Sequence, residues 1–302
     1  MDSNQDKCGF VNIIGATNVG KSTLLNKLVG QKISIMSRKV QTTRNSLKGI
    51  LTIGNSQIIF IDTPGIFKPN RKLDKAMINS AWKSIEHSDI TLLILEAVNT
   101  INKNTIIISN YLKKKKPSNL ICIINKIDKV NHSSLLKITS VVKEHFNCNE
   151  YFYLSALKGN GVLELKNYLV NNIPIGPWHY SKDQITDIPY RFIASELVRE
   201  KLMDRLHQEI PYGLTVETED WNELDDGSVR IDILIFVHKL GQKKILIGTN
   251  GYNLKAVGSI VRKELELMMD KRVHIFLYVK VNRNWDNSPE YYKYLGLDFN
   301  VQ

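Results

Sequence analysis

The sequence predicts a doubly wound α/β domain with a parallel-type sheet, followed by a smaller α+β domain. Its 302 residues exceed what one hydrophobic core usually supports. Short Ile- and Leu-rich runs alternate with helical patterns, which is typical of buried parallel strands. These strand candidates lie at 10–15, 58–62, 91–96, 120–125 and 151–154. The helices are expected from residue 21 and at 72–87, 104–114, 135–146 and 161–171.

The domain boundary is predicted at Pro174, Gly176 and Pro177, which end the α/β pattern ahead of a polar stretch. We therefore expect a first domain at 1–175, a linker at 176–189 and a second domain at 190–302. The second domain should contain two helices between its last two strands and a mostly antiparallel sheet. Its first helix is expected at 190–208, and its strands at 214–221, 228–237 and 273–281.

The composition indicates which class of partner and which cellular compartment to expect. With 41 Lys and Arg against 30 Asp and Glu, the net charge of +11 favours an anionic partner such as nucleic acid or an acidic membrane surface. No apolar run reaches the length of a membrane span, and residues 1–9 do not resemble a secretion signal. We therefore expect a cytoplasmic protein. Its three cysteines have no metal-ligand spacing.

A glycine-rich phosphate-binding pattern, GATNVGKS at 15–22, lies between the first strand and the first helix. Its glycines let the backbone wrap so that N–H groups and the helix N-terminus point at the β- and γ-phosphates. Lys21 would add a positive charge, and Ser22 would be a ligand of Mg²⁺. The expected phosphate contacts are Gly15, Ala16, Thr17, Asn18, Val19, Gly20, Lys21, Ser22 and Thr23.

A second motif, DTPG at 62–65, follows a buried strand, so Asp62 should lie near the phosphates. We expect Asp62 to hold Mg²⁺ through water and the Gly65 N–H to reach the γ-phosphate. Thr43 lies in a polar segment and is expected to close on Mg²⁺ when the γ-phosphate is present, which makes 32–47 an ordering switch. The metal ligands predicted are thus Ser22, Thr43 and Asp62, with Thr63, Pro64 and Ile66 beside the nucleotide.

A third motif, NKID at 125–128, predicts which base is bound. Asp128 can accept hydrogen bonds from the N1–H and the N2 amine of guanine, a pair that adenine lacks. Asn125 can tie this loop to the phosphate loop, and the Lys126 stem can lie over the base. An N–H from the segment Ser155, Ala156 and Leu157, most directly that of Ala156, would meet guanine O6. Ile127 completes the predicted base-binding loop.

Together the three motifs predict a Mg²⁺-dependent GTPase that cycles between GTP and GDP. Ile66 stands where many regulatory GTPases have a glutamine that orients the attacking water, so intrinsic hydrolysis should be slow. Asn18 is the candidate ligand for a K⁺ ion that would replace an arginine finger. The catalytic residues predicted are Lys21, Thr43, Asn18 and Gly65.

In the second domain, the IGTNG segment at 247–251 has the I-G-x-x-G form of the loop with which KH modules hold single-stranded nucleic acid. An ordinary turn between helices is the alternative, and the flanking order of helices and strands favours a type II KH domain. The predicted RNA contacts are Ile247, Gly248, Thr249, Asn250, Gly251, Asn253, Lys255 and Arg262.

The sequence resembles the Era family of bacterial GTPases nearly end to end. The resemblance includes KISIMSRKVQTTR at 32–44, ASELVREKL at 194–202, Pro211 with Tyr212, LYVKV at 277–281, Trp285, and Leu295 with Gly296. It implies a monomeric GTP-dependent assembly factor of the small ribosomal subunit. It also implies that the KH domain binds the 3′ end of the small-subunit ribosomal RNA, and that the protein associates peripherally with the inner membrane.

Two other functions remain open from the sequence. One is a membrane-associated signalling GTPase whose KH-like domain binds protein. The other is a tRNA-modification GTPase, which shares the potassium-type loop but would be expected to carry a domain for handling a one-carbon unit that this chain lacks. Binding of a short single-stranded ribosomal RNA separates the first of these from an assembly factor.

Overall fold

The computed structural model describes residues 5–36, 43–44, 46–206 and 213–300. Two compact units are formed, one by the described residues up to 187 together with 292–300, and the other by 188–291. Among the described residues, no helix has the length and apolarity needed to cross a membrane.

The first unit is a six-stranded sheet with helices on both faces. Its strands are β1 (Lys7–Gly15), β2 (Leu47–Ile53), β3 (Ser56–Asp62), β4 (Ile90–Glu96), β5 (Leu120–Asn125) and β6 (Glu150–Leu154). Its helices are α1 (Lys21–Val29), α2 (Lys72–Glu86), α3 (Lys103–Lys115), α4 (His132–His145) and α5 (Val162–Asn172). The strand order is β2-β3-β1-β4-β5-β6. Strands β1, β3, β4, β5 and β6 run parallel, so the carboxyl ends of all five meet at one edge.

Strand β2 was not predicted, and it pairs with β3 in the antiparallel sense. The chain reverses between Ile53 and Ser56 through two residues, of which Gly54 has a φ of 58°. A two-residue connection can only join antiparallel strands. The sheet is therefore parallel except at this edge.

Residues 176–187 of the predicted linker, 176–189, belong to the first unit. The Gln57 side chain accepts hydrogen bonds from the backbone N–H groups of His179 and Tyr180, and donates to the Tyr180 carbonyl. The C-terminal residues also group with this unit, although the sequence placed them in the second domain. Lys83 forms a 2.5 Å ion pair with Asp298, and Lys72 Nζ lies 3.2 Å from the ring centre of Phe299.

The second unit has helices packed on one three-stranded sheet. Its elements are α6 (Tyr190–Arg205), β7 (Leu214–Glu223), β8 (Val229–Val237), α7 (Leu240–Ile247), α8 (Tyr252–Met269) and β9 (Val273–Val281). A short helix, α9 (Pro289–Tyr294), follows β9, and its residues from 292 onwards group with the first unit. Strands β7 and β8 are antiparallel, whereas β8 and β9 are parallel. The expectation of a mostly antiparallel sheet was therefore wrong for one of the two pairings. Helices α7 and α8 carry the chain back between β8 and β9, as a parallel connection requires.

Candidate nucleotide and RNA sites

The phosphate loop joins the end of β1 to the start of α1, and its backbone is fixed by residues in the left-handed region. Asn18 has a φ of 63° and Gly20 a φ of 102°. A Cβ on Gly20 would lie 2.3 Å from Asn125 Nδ2. Only glycine can therefore place the loop this close to the base-binding segment.

Lys21 lies buried at the first position of α1, under the loop. Its Nζ donates to the carbonyl oxygens of Ala16 at 2.9 Å and Gly15 at 3.3 Å. Burial lowers the pKa of Lys21 to about 8, although the Asp62 carboxylate acts in the opposite direction. The loop thus holds a desolvated ammonium, a group that a phosphate would stabilise strongly.

Asp62 ends β3 at the same edge of the sheet and is buried among hydroxyl groups. Its Oδ2 accepts hydrogen bonds from Ser22 Oγ at 2.7 Å and Ser34 Oγ at 2.9 Å. Ser22 Oγ is also 3.0 Å from Thr43 Oγ1. Burial raises the pKa of Asp62, and the Lys21 charge and the hydroxyls lower it. The structure thus brings together the three residues predicted as metal ligands.

The donor set at Asp62 fits Mg²⁺. Asp62 Oδ1 is buried and has no hydrogen-bond partner among the residues that the structure describes. A carboxylate oxygen beside two hydroxyls is a set of hard oxygen donors, which Mg²⁺ prefers. No group of three or more His, Cys, Asp or Glu side chains that could hold a metal ion occurs in the described part of the chain. The Asp62 site is of another kind, because it combines one carboxylate with hydroxyls. When bound, Mg²⁺ would neutralise charge on the phosphates.

Asn125, at the end of β5, joins the base-binding loop to the phosphate loop as predicted. Its Nδ2 donates to the Val19 carbonyl at 2.8 Å. Its Oδ1 accepts from the N–H groups of Lys126 at 2.7 Å and Ala156 at 2.9 Å. The Ala156 N–H, expected to meet guanine O6, therefore has a protein partner in this structure.

Two charged side chains border the place expected for the base. Lys126 has a φ of 63°, and its Nζ donates to the Asn18 carbonyl at 2.6 Å, so its stem spans the two loops. Asp128 is exposed in the 3₁₀ turn Ile127–Lys129. A hydrogen bond from Ser155 lowers the pKa of the Asp128 carboxyl. The carboxylate is thus ionised and open at neutral pH.

The other residues predicted at the nucleotide have different surroundings. Ile66 is fully buried, and its N–H donates to the Gly15 carbonyl at 3.0 Å. Thr63 is buried too, with its hydroxyl donating to the Ile13 carbonyl at 2.7 Å. Leu157 is 78% exposed. Gly65 lies against the phosphate loop, since a Cβ on it would be 2.9 Å from Thr17 Cα.

The GxxG loop between α7 and α8 has three residues with positive φ, which are Gly248, Asn250 and Gly251 with φ of 71°, 51° and 76°. Thr249 and Asn250 are exposed, so the backbone of the loop is open to a ligand. Asn253, predicted to contact RNA, donates through Nδ2 to the Ile245 carbonyl at 3.0 Å. Its side chain therefore holds the end of α7 under the loop.

Four candidates were not found from the sequence. Ser34 bonds to Asp62, 28 positions away, and Asn26 bonds to Ser34, 8 positions away. The sequence offers no local signal for either contact. Beside the GxxG loop, Tyr252 is 70% exposed and Ile245 is 53% exposed. A large aromatic side chain directly after the second glycine was a usable signal, because RNA-binding modules stack bases on such rings.

Gln41, within the predicted switch, lies outside the described residues.

Comparisons with known proteins agree with this arrangement. A family described as 50S ribosome-binding GTPase matches residues 10–126, and a KH domain family matches 209–286. GTPase Era of Brucella suis biovar 1 (strain 1330) is 46% identical over 298 residues, covering 99% of this chain and 96% of the relative. GTPase Era of Mesorhizobium japonicum is 48% identical over 292 residues, covering 96% and 94%.

Two solved structures are similar over nearly the whole chain. One is Era in complex with MgGDPNP and nucleotides 1506–1542 of 16S ribosomal RNA, with a TM-score of 0.91, 37% identity and coverage of 96% of this chain and 99% of that one. The other is a variant of Aquifex aeolicus Era bound to GDP and AlF₄⁻, with a TM-score of 0.90, 37% identity and the same coverage. The chain belongs to the Era family of GTPases and hydrolyses GTP to GDP with Mg²⁺ as its metal.

Proposed function

We propose that this GTPase is a switch that binds the 3′ end of the small-subunit ribosomal RNA and assists assembly of the small ribosomal subunit. The observation that carries the proposal is one chain with both a guanine-nucleotide site and an exposed GxxG loop in basic surroundings. Residues 239–280 contain nine Lys and Arg and three acidic residues. The solved Era complex that covers 96% of this chain holds ligands suited to both sites.

At the nucleotide, we assign Lys21 and the backbone of the phosphate loop to the β- and γ-phosphates. Ser22, Thr43 and Asp62 are assigned to Mg²⁺, and Asp128 to guanine. The Gly65 N–H would reach the γ-phosphate from its place against the loop. The buried Lys21 ammonium would stabilise charge that develops on the phosphoryl oxygens, because its neighbours exclude water.

Hydrolysis is proposed to be slow without a further cation. Ile66 is buried and apolar, so it has no group that could orient water. Asn18 is exposed at the rim of the phosphate loop with a strained φ of 63°, where its side-chain oxygen could hold K⁺. Hydrolysis measured in K⁺ should be faster than in Na⁺ at equal ionic strength. Equal rates in the two salts would exclude this role of Asn18.

We propose that the nucleotide acts on RNA binding through the edge strand β2, which begins at the last residue of the predicted switch segment 32–47. The Ile50 N–H donates to the Ile185 carbonyl at 2.8 Å, and the Thr186 hydroxyl donates to the Lys48 carbonyl at 2.7 Å. Lys48 Nζ also lies 3.1 Å from Asp187 Oδ2. A shift of β2 when the switch orders would therefore move the last residues before the second unit.

This route is tested with Thr186→Val, which removes the hydroxyl and keeps the shape. RNA affinity should be measured in the presence of GTP analogue and of GDP, and the ratio of the two affinities should fall towards one. Thr139→Val, a substitution of a hydroxyl that bonds to Leu135 in the same unit, is the matched control. An unchanged ratio in Thr186→Val would exclude the route and leave the RNA-binding proposal intact.

At the RNA, we assign Ile247, Thr249 and Asn250 to contacts around the loop, with Gly248 and Gly251 letting the sugar-phosphate chain approach. Lys255 and Arg262 are exposed on α8 and would attract phosphates. Asn253 would act by supporting the loop. We add Tyr252 as a stacking platform for a base, because its ring is exposed directly beside Gly251.

The deciding experiment is ultraviolet crosslinking in cells followed by sequencing of the bound RNA, with Gly248→Asp as the control variant. We expect enrichment of the 3′ end of the small-subunit RNA, lost in the variant because a charged side chain replaces the glycine. The matched family's description names the 50S subunit, so large-subunit RNA is the main rival outcome. Enrichment of large-subunit RNA, or of no RNA, would overturn the proposal.

For location, we propose a cytoplasmic monomer with peripheral contact at the inner membrane. A net charge of +11 supports attraction to an anionic surface. Flotation with vesicles that contain anionic lipid should retain the protein at low salt, and purely zwitterionic vesicles should not. A membrane-associated signalling GTPase whose KH unit binds protein would bind the same vesicles but give no ribosomal RNA crosslink.

A further inference from the structure

The two oxygens of the Asp62 carboxylate have different surroundings. Oδ2 accepts two hydroxyl hydrogen bonds, from Ser22 and from Ser34, and Oδ1 has no partner in the described part of the chain. Two donors on one oxygen fix both the rotamer of the side chain and the plane of the carboxylate. Ser34 therefore helps to orient the Asp62 carboxylate so that Oδ2 is hydrogen-bonded and Oδ1 is not.

Ser34 is itself held by helix α1. Asn26 Oδ1 accepts from the N–H groups of Ile33 and Ser34 at 2.9 Å each, and Asn26 Nδ2 donates to the Ser34 carbonyl at 2.7 Å. Asn26 lies one turn after Ser22, and residues four apart share one face of a helix. The same helix face thus supplies one hydroxyl to Asp62 directly and positions the second.

We propose that Ser34 is a positioning residue of the magnesium site, which holds the Asp62 carboxylate with Oδ1 open, and that Asn26 fixes Ser34 for this purpose. The inference rests on Asp62 being the carboxylate on the magnesium side. It also places an anchor inside the predicted switch at 32–47. Ser34 is hydrogen-bonded to Asn26 of α1 and is buried.

The test is the Mg²⁺ requirement of nucleotide retention in Ser34→Ala. A fluorescent GDP analogue is bound, and its release is followed while free Mg²⁺ is lowered with a chelator. Loss of a group that supports a metal ligand commonly weakens metal binding by about 10- to 100-fold. We expect the Mg²⁺ concentration for half retention to rise by about that factor. Asn26→Ala should shift it in the same direction.

A matched control separates this effect from a general loss of structure. Ser109 is also buried, and its hydroxyl donates to the His145 carbonyl at 2.7 Å, away from Asp62. Ser109→Ala should therefore retain the wild-type Mg²⁺ requirement. If Ser34→Ala does not fold, Ser34→Thr and Ser34→Val form an isosteric pair that differs in the hydroxyl. The threonine variant should then need less Mg²⁺ than the valine variant.

Asp62→Asn distinguishes the two ways in which the inference can fail. If Asp62→Asn keeps the wild-type Mg²⁺ requirement, Asp62 is not on the magnesium side and the site assignment fails with it. If Asp62→Asn raises the requirement but Ser34→Ala does not, the site assignment stands and the role of Ser34 is excluded. Equal requirements in Ser34→Thr and Ser34→Val would exclude that role as well.

Discussion

The nucleotide site and the GxxG loop use opposite physical strategies. At the nucleotide site, the side chains that end β3 and β5, Asp62 and Asn125, are buried and hydrogen-bonded to the start of α1 and to the phosphate loop. In the GxxG loop, the backbone is exposed and its course depends on residues with positive φ, such as Gly248 and Gly251. The first arrangement is preorganised for one ligand, and the second offers a backbone surface in basic surroundings.

This difference predicts how each site responds to substitution. Removing one member of a buried hydrogen-bonded set leaves its partners unsatisfied, which costs more than the bond itself contributed. Removing one charge from an exposed surface weakens attraction by a small and salt-dependent amount. Effects at the nucleotide site should therefore be large and selective, and those at the RNA surface small and additive.

The largest effect is expected from Asp128→Asn. Two hydrogen bonds to a charged group, at about 1.5–3 kcal/mol each, correspond to roughly a 10²- to 10⁴-fold loss of GTP affinity. Xanthine has a carbonyl where guanine has its N2 amine, so the amide should bind XTP better than the wild type does. Calorimetry with both nucleotides measures this reversal. Asp226→Asn is the control, because Asp226 is another exposed carboxylate that accepts from a serine. Unchanged GTP affinity in Asp128→Asn would contradict guanine reading by this residue.

Gly20→Ala should have the next largest effect, because a Cβ there would lie 2.3 Å from an amide nitrogen held by the Val19 carbonyl. Displacing these groups costs about 1–3 kcal/mol, which corresponds to a loss of nucleotide affinity of roughly 10- to 100-fold. Gly30→Ala is the matched control. Its φ of 85° imposes similar backbone strain, but nothing lies within 4 Å of the added Cβ. Equal nucleotide affinities in the two variants would show that the contact with Asn125 is unimportant.

Both sites contain an asparagine that holds a loop, and the next comparison concerns local stability rather than ligand affinity. Asn125→Ala removes three hydrogen bonds from a buried segment, and we expect local stability around β5 to fall by about 3 kcal/mol. Asn253→Ala removes the bond to the Ile245 carbonyl, and we expect a loss of about 1 kcal/mol or less at α7. Amide hydrogen exchange measures the local stability of each unit separately. Similar losses in both would contradict the difference in preorganisation.

The sequence was sufficient to place those site residues that belong to a motif at the end of a strand. Lys21, Asp62 and Asn125 lie where their motifs placed them, because parallel strands end at one edge of the sheet. It was insufficient for contacts between distant segments. The Ser34 hydroxyl meets Asp62 across 28 positions, and such a pairing depends on the folded geometry of α1 and β3. Strand β2 was missed for a different reason, since its LKGILTI sequence contains a glycine and no regular alternation.

The parallel pairing of β9 and the attachment of 176–187 were missed for related physical reasons. A strand's residue pattern reports which faces are buried but does not report the direction of its neighbour. A polar segment such as 176–187 has no apolar periodicity, and it is attached by hydrogen bonds to residues far away in the sequence, such as those that Gln57 and Ile50 make with its backbone. Both features depend on hydrogen bonds to backbone groups. Because every residue has such groups, the sequence does not indicate which of them will pair.

The smallest single effects should come from the basic residues beside the GxxG loop, and they should be visible as salt dependence. For single-stranded nucleic acid, each phosphate neutralised contributes about 0.7 to the slope of log affinity against log salt. Lys255→Met and Arg262→Met should each reduce that slope by about this amount, and the double variant by about twice as much. Lys271→Met is the control, because Lys271 pairs with Glu223 at 3.3 Å. Filter binding with a short single strand from the 3′ end of small-subunit RNA, at several salt concentrations, gives the slopes. If the slope stays at the wild-type value in both single variants, these residues do not contact phosphates, and attraction at the RNA surface must come from other cations.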